Sequence, residues 1–481
     1  MPEEGYLPRA SQYRDQSDGP EQTAMLNASR VVRAAAANGS HAAGTTPSHY
    51  DIAVVGGGLV GNAIAACLGR SKPLAGKRIT VLDNAKDKAT LSSQPSTKPY
   101  SNRVSAVSPA SIALFRELGI WQRLEVHRVK RVDKLHVIES SSRAEITFDR
   151  PDNEEIAYIV ENDAIVGALG DLLGTLPTVS HRTGAAVVSC DLPDDCSRLA
   201  TVSLEGGENI TADLVIGADG ANSAVRSSSS VDTTAWTYAQ SGVVATLKVA
   251  DASENATAWQ RFSVNGPIAL LPLTRDLSSL VWTTTPEEAK RLCSIPADVF
   301  VDELNEAFVT DVHQDAGANQ ALFALSSLLS AFSAGIKPTS SPPHVVGLET
   351  ENRAAFPLGF AHASAYVAPR MALVGDAAHR VHPLAGQGVN LGWRDCRTLT
   401  RTLEKAVESG ADIGSVTALR HYDTEAQAFN VPTMVAIDWL NRLYRTQAAP
   451  IVLARSLGLS AVNSLTPLKD LFVHTLSHYP K

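Results

Sequence analysis

Four short, largely apolar runs, Asp51 to Val55, Ile79 to Leu82, Leu214 to Ile216 and Met371 to Val374, each give way at once to glycine or to an acid. Runs of this length bounded by turn residues predict buried strands, whereas helices need a longer 3.6-residue pattern. The first leads into Gly56-Gly57-Gly58-Leu59-Val60-Gly61 and a helical run from Ala63 to Leu68, and the second ends on Asp83. The third ends in Gly217-Ala218-Asp219-Gly220 and the fourth in Gly375-Asp376. Strands alternating with helical patterns predict an α/β fold whose ligands sit outside the carboxyl ends of a parallel sheet.

Helices are expected where capping residues precede a helical period. Ser108-Pro109 opens one through Ile112, Leu114, Phe115 and Leu118 to Gly119, and Glu161-Asn162-Asp163 opens one through Ile165, Leu169, Leu172 and Leu173 after a strand at Ile156 to Val160. Leu391, Leu399, Leu403 and Val407 continue a third from the turn Pro383 to Asn390. Val202 to Leu204, Gly206-Gly207 and Leu214 to Ile216 read as a hairpin. Alternation at Val243–Leu247, Ala258–Phe262, Ile268–Leu273 and Leu280–Trp282 predicts a second, antiparallel sheet. Val299 to Phe332 reads as helical, and Lys337 to His344 as a Pro/Ser-rich surface link. Val431 to Leu471 reads as terminal helices broken at Pro450 and Pro467, with apolar faces suited to core and, as the alternative, to peripheral membrane contact.

These elements divide the chain into residues 1–49, disordered or targeting; 50–135, 156–228 and 350–420, a discontinuous Rossmann-type domain; 136–155 and 229–349, an inserted, mostly antiparallel β substrate domain; and 421–481, C-terminal helices. Residues 22–50 hold no acid and include Arg30 and Arg33, as in a mitochondrial transit peptide, although Glu3, Glu4, Asp15, Asp18 and Glu21 precede them.

Composition narrows the function classes. The net charge of −8 over 481 residues argues against a nucleic-acid binder. The densest basic segment, Arg123 to His136, reads as a solvated face, with docking to an acidic partner or lipid as the alternative. Five cysteines without a CxxC pair suit a reducing compartment. No apolar run approaches the roughly 18 to 20 residues that span a bilayer.

The candidate chemistry begins at Gly56, Gly58 and Gly61, the G-x-G-x-x-G positions that permit a tight turn, close approach of a pyrophosphate and helix–strand packing. Asp83, 22 residues beyond Gly61, is placed to bind an adenosine ribose. An acid there argues against NADP and leaves NAD or FAD. Arg103, in the loop before the Ser108 helix, suits either a surface ion pair or a clamp on a phosphate or flavin edge. Asp376 stands at a strand end, and Pro383, Gly386, Gln387, Gly388 and Asn390 surround a helix N-terminus whose amides favour an electron-rich ring or phosphate. On its own that stretch also reads as a capped turn. His379 and His382 are three apart with Pro383 beside them and no third ligand, which favours hydrogen bonding or packing over metal and leaves both as candidates for handling protons.

Together, the early G-x-G-x-x-G, the central GADG-x-x-S-x-x-R and the late GDAAH…P-x-x-G-Q-G-x-N resemble the single-component FAD aromatic hydroxylases of the para-hydroxybenzoate hydroxylase type, from Asp51 to about Leu403. Ser101–Pro109, Ala258–Phe262, Gly266–Leu273 and Gly375–Asn390 are similar to the mitochondrial hydroxylases of ubiquinone biosynthesis. The resemblance implies FAD, with Asp376 on its ribityl chain, Asp83 on its ribose, and Asp219, Gly220 and Arg226 serving flavin and pyridine nucleotide. It implies hydroxylation at ring C5 of a 3-polyprenyl-4-hydroxybenzoate-type precursor by dioxygen through a flavin C4a-hydroperoxide. It also implies electrons from ferredoxin and its reductase or from NAD(P)H, with the lack of a second G-x-G-x-x-G tilting toward the protein donor. The same resemblance implies a peripheral location on the matrix side of the mitochondrial inner membrane and a place in a ubiquinone-biosynthesis complex. The flavin motifs alone leave open a related hydroxylase acting on another aromatic or quinone position, or a non-catalytic escort for a prenylated lipid.

Overall fold

A computed structural model describes residues 47–87, 89–141, 144–149, 156–250, 255–309 and 341–464. The expectations for the N-terminal segment up to residue 46, for helix beyond residue 309, for the first part of the Pro/Ser link and for the break at Pro467 lie outside them. The elements that position the site are, in chain order, β1 (Ser48–Val55), α1 (Leu59–Arg70), β2 (Ile79–Leu82), β3 (Asn209–Gly217), β4 (Thr233–Val249), β5 (Met371–Leu373), α2 (Gln387–Glu408), α3 (Val416–Arg445) and α4 (Ala449–Ser464).

In the first sheet β5, β3, β1 and β2 lie side by side and parallel, with Val179–Arg182 continuing beyond β2. All of β2 and the second half of β1 are buried, as parallel strands covered on both faces must be. The expected hairpin forms: Ala200–Leu204 pairs antiparallel with β3 across Gly206 and Gly207, both at positive φ. Register decides where the motifs arrive. Val55 stands opposite both Leu82 and Gly217, and Gly217 opposite Leu373, so the four strands end level.

The second sheet runs, among the described residues, in the order His379–Arg380, Ala354–Ala363, β4, Leu277–Thr284, Gly266–Pro272, Thr257–Ser263, Lys134–Glu139, Glu145–Asp149. Its pairs are antiparallel except Thr257–Ser263 with Lys134–Glu139. Helices Pro286–Ser294 and Ala297–Val309 close one face, burying Leu292, Phe300 and Leu304 against Val243, Leu280 and Trp282. The two layers are joined at the late motif. Asp376 follows the end of β5, and three residues later His379 pairs with His362 at the edge of the second sheet.

The C-terminal helices expected over 421–481 begin at Val416, a few residues earlier. α3 is a single helix of 30 residues that carries Pro432 in its interior. An interior proline removes one backbone bond and costs about 3 kcal/mol. Burial of Leu419, Tyr422, Ala426, Met434, Ile437 and Tyr444 along one face outweighs it.

Candidate functional site

The glycine loop is shaped by contact on two sides and by space on a third. Gly56 has φ +102°, and a Cβ there would stand 2.5 Å from the Ala218 carbonyl oxygen. A Cβ at Gly61 would stand 1.8 Å from the Gly56 carbonyl oxygen, so only glycine lets α1 begin this close to β1. Gly58 differs: nothing lies within 4 Å of where its Cβ would be. The Asp83 carboxylate packs against the same loop, with Oδ2 2.4 Å from where a Cβ on Gly57 would be, and its Oδ1 accepts from the Ala85 amide at 3.2 Å.

The central motif lies beside it, since the Ala218 amide donates to the Val55 carbonyl at 2.8 Å. Asp219 Oδ2 accepts from the amides of Ala224 (2.7 Å) and Val225 (3.3 Å), while its buried Oδ1 has no partner among the described residues. Gly220 has φ +80° and open space around it. Arg226 donates to the carbonyls of Ala377 at 2.7 Å and Ala221 at 2.6 Å, tying the central motif to the late one.

In the late motif Gly375 turns the chain at φ +59°. Asp376 is solvent-exposed, yet the protein surrounding it raises its carboxyl pKa by desolvation, against the pull of His379 and Arg380. Its loop is held by Asp395, which pattern reading missed. Asp395 Oδ2 accepts from the Gly375 amide at 2.9 Å and from His379 Nε2 at 2.6 Å, and Oδ1 accepts from Asn430 Nδ2 at 3.0 Å. The signal was present as an acid between Leu391 and Leu399 on the apolar face of α2.

After Pro383 a short turn reaches Gly386 at φ +61°, and α2 starts at Gln387. A Cβ on Gly386 would come 3.2 Å from Ala106 Cβ, and one on Gly388 3.5 Å from Val381, so this turn lies against the strand that follows Arg103. Asn390 fastens it: Oδ1 accepts from the Ser108 amide (3.0 Å) and the Ser111 hydroxyl (2.8 Å), and Nδ2 donates to the carbonyls of Ala106 and Gly386 (both 2.9 Å). Its polar atoms are thus engaged by protein. Arg103 is exposed, directly before that strand.

The two histidines differ sharply. His379 is fully buried; burial opposes its protonation, but the Asp395 carboxylate outweighs that and raises its pKa. His382 is equally buried, and desolvation together with the Arg445 charge pushes its pKa down to about 4 against the pull of Asp438. Both of its ring nitrogens are without a partner among the described residues, and the ring meets Tyr238 edge-on at 5.2 Å. The basic segment is largely neutralised: Arg123 pairs with Asp171 (2.5 Å), Arg128 with Glu161 (2.6 Å) and Arg131 with Asp133 (2.5 Å).

The donor set fits a flavin dinucleotide: an open glycine loop with an acid beside it, an unpartnered buried Asp219 oxygen, and the exposed Asp376 carboxylate. No helix among the described residues is long and apolar enough to cross a membrane.

Comparison with known proteins gives the same direction. An FAD binding domain family model matches residues 49–326 and 332–434. The chain is 48% identical over 435 residues to the Caenorhabditis elegans protein named ubiquinone biosynthesis monooxygenase COQ6, mitochondrial, covering 89% of this chain and 96% of that one. The human protein of that name is 42% identical, covering 89% and 92%. The fold is similar to p-nitrophenol 4-monooxygenase PnpA from Pseudomonas putida DLL-E4, with TM-score 0.64, 18% identity and coverage of 91% and 100%. The chain therefore belongs to the FAD-dependent monooxygenases of ubiquinone biosynthesis.

Proposed function

We propose that this monooxygenase hydroxylates ring C5 of a 3-polyprenyl-4-hydroxybenzoate-type precursor with FAD and dioxygen. In this reading Gly56, Gly58 and Gly61 seat the pyrophosphate, Asp83 takes the adenosine ribose, Asp376 takes the ribityl chain, and the amides around Gly386, Gln387 and Gly388 face the flavin ring. Arg103 and the free oxygen of Asp219 complete the cradle. Arg226 and Asn390 act through the loops they fasten, and Pro383 sets the turn on which the ring would rest. The observation that carries the reading is the level ending of β1, β2, β3 and β5, which brings three distant motifs to one edge beside the open side of Gly58.

Bound reduced flavin would supply the activation of dioxygen; the chain supplies position, dryness and proton handling. Of the two histidines, His382 suits proton acceptance, being neutral at pH 7 with unengaged nitrogens beside Pro383 and Tyr238. His379 is held by Asp395 and fits a role in shaping the loop. Electrons would come from ferredoxin and its reductase, on the matrix side of the inner membrane, within a ubiquinone-biosynthesis complex. The test is turnover of prenylated 4-hydroxybenzoate by the FAD-loaded protein with either reduced ferredoxin or NADPH, with products identified by mass. A C5-hydroxylated product dependent on ferredoxin is expected; oxidation of the donor with no ring hydroxylation would defeat the reading.

A further inference from the structure

Polar atoms gather around Tyr238 of β4 without finding partners. The Tyr238 hydroxyl, the Trp236 indole nitrogen, one Asp438 oxygen and both ring nitrogens of His382 are buried with no hydrogen-bond partner among the described residues. Tyr238, His382 and Asp438 are each more than nine-tenths buried. They share one neighbourhood: Asp438 and Trp236 both act on the Tyr238 hydroxyl, and the His382 ring meets the Tyr238 ring edge-on. Folded proteins satisfy most buried polar atoms, because an unpaired one is costly. Five unsatisfied atoms in one place mark where something polar is received.

The surroundings are apolar. Phe360 and Met434 pack with Tyr238, and Val381 links them to Leu384, Ile437 and Tyr444. A few convergent polar atoms among aliphatic and aromatic side chains suit an aromatic ring that carries oxygen substituents.

Charge names one of those substituents. The elements packed here are β4, the strand Ala354–Ala363, the turn from His379 to Asn390, and α3 from Asn430 onward; their sequences hold a single acid, Asp438. Arg442 binds that acid at 2.7 Å, and Arg380 donates to the Pro357 carbonyl. Arg445 is left over. It is exposed, its Nη1 makes only a long bond of 3.4 Å to the Tyr238 carbonyl, and it pairs with no acid among the described residues. Its charge nevertheless reaches His382, whose pKa it helps to push down. A planar guanidinium without an acid, close to ring nitrogens without partners, complements a molecule with a carboxylate at one end of an aromatic ring and a hydroxyl at the other. We infer that Arg445 is a specificity-determining residue that holds the ring carboxylate of the substrate while His382 receives the hydroxyl. This rests on the hydroxybenzoate reading of the substrate given above.

The test is titration of the oxidised, FAD-loaded full chain with 3-prenyl-4-hydroxybenzoate and with the prenylphenol that lacks its carboxylate, read by the shift in flavin absorbance and followed by turnover of both. The wild type is expected to bind the carboxylated ring at least tenfold more tightly. Arg445→Gln should erase that preference by weakening the carboxylated ring alone, through KM and not kcat, with FAD content and the affinity for the prenylphenol unchanged. Arg445→Lys should restore part of it, since an ammonium keeps the charge and loses the two-pronged geometry. Arg420→Gln, at an exposed position in the first half of α3, should behave as the wild type. If Arg445→Gln loses FAD, a severalfold smaller preference in Arg445→Lys decides. Wild type that binds both rings alike, or Arg445→Gln that loses affinity for both equally, would overturn the inference while leaving the proposed hydroxylation in place. Wild type that neither binds nor hydroxylates either ring would overturn the proposed function and this inference with it.

Discussion

His382 and Asp395 are single side chains whose environments set measurable behaviour. The folded-state pKa of His382 is about 4, below its ordinary 6.5, so the unfolded chain takes up a proton that the folded chain refuses. Its contribution to stability is present above about pH 6.5 and is lost as pH falls toward 4, by about 3 kcal/mol in full. His382→Gln should therefore be less sensitive than the wild type to acid between pH 7 and 4, as read by denaturant unfolding at both ends. The same variant should lose the acidic limb of the pH–rate profile if His382 accepts a proton during turnover. Asp395 holds His379, the Gly375 amide and Asn430 inside the protein. Asp395→Asn removes a buried charge partner, and a loss of about 3–5 kcal/mol is expected, with FAD retention falling because the Asp376 loop is no longer held.

At the scale of elements, two glycines of one loop separate folding from binding. Gly61→Ala forces a Cβ onto the Gly56 carbonyl and should destabilise the α1–β1 junction by about 1–3 kcal/mol. Gly58→Val projects into open space and should leave the melting temperature of the FAD-free protein within a few degrees while abolishing FAD binding. α4 offers a second test. Glu139 and Arg455 form a buried pair at 2.5 Å, and Ser456 also donates to Glu139 at 2.9 Å, fixing the last described helix to the strand Lys134–Glu139. Arg455→Met leaves the Glu139 charge buried and should cost about 3–5 kcal/mol in thermal or denaturant unfolding.

Across the whole molecule, what was legible in the sequence was local. The glycine loop, the acids at the ends of β2 and β3 and after β5, the Ser108 cap and the Gly206-Gly207 hairpin each declare themselves through backbone demands that neighbouring residues alone determine. What escaped depends on contacts between distant segments. Asp395 acquires its role because α2 packs behind the Gly375 turn, and Arg226 because the β3 and β5 loops end level. Asn390 is drawn into fastening Ala106 and Ser108, some 280 residues away. Pro432 stands inside α3 because tertiary burial along the helix outweighs its local cost. The residue types were visible, and their partners were not.

The central claim is that three widely separated motifs hold one FAD. It is tested most directly by titrating FAD into cofactor-free wild type and into Gly58→Val, Asp83→Ala, Asp219→Ala and Asp376→Ala, following flavin fluorescence. Affinity should fall at least tenfold in every variant, including those from the central and late motifs, while unfolding of the cofactor-free forms stays close to wild type except in Asp219→Ala, which also loses the acceptor of the Ala224 and Val225 amides and about 1–2 kcal/mol with it. Wild-type affinity in the Asp219 or Asp376 variant would mean that its motif takes no part in holding the flavin and would contradict the account.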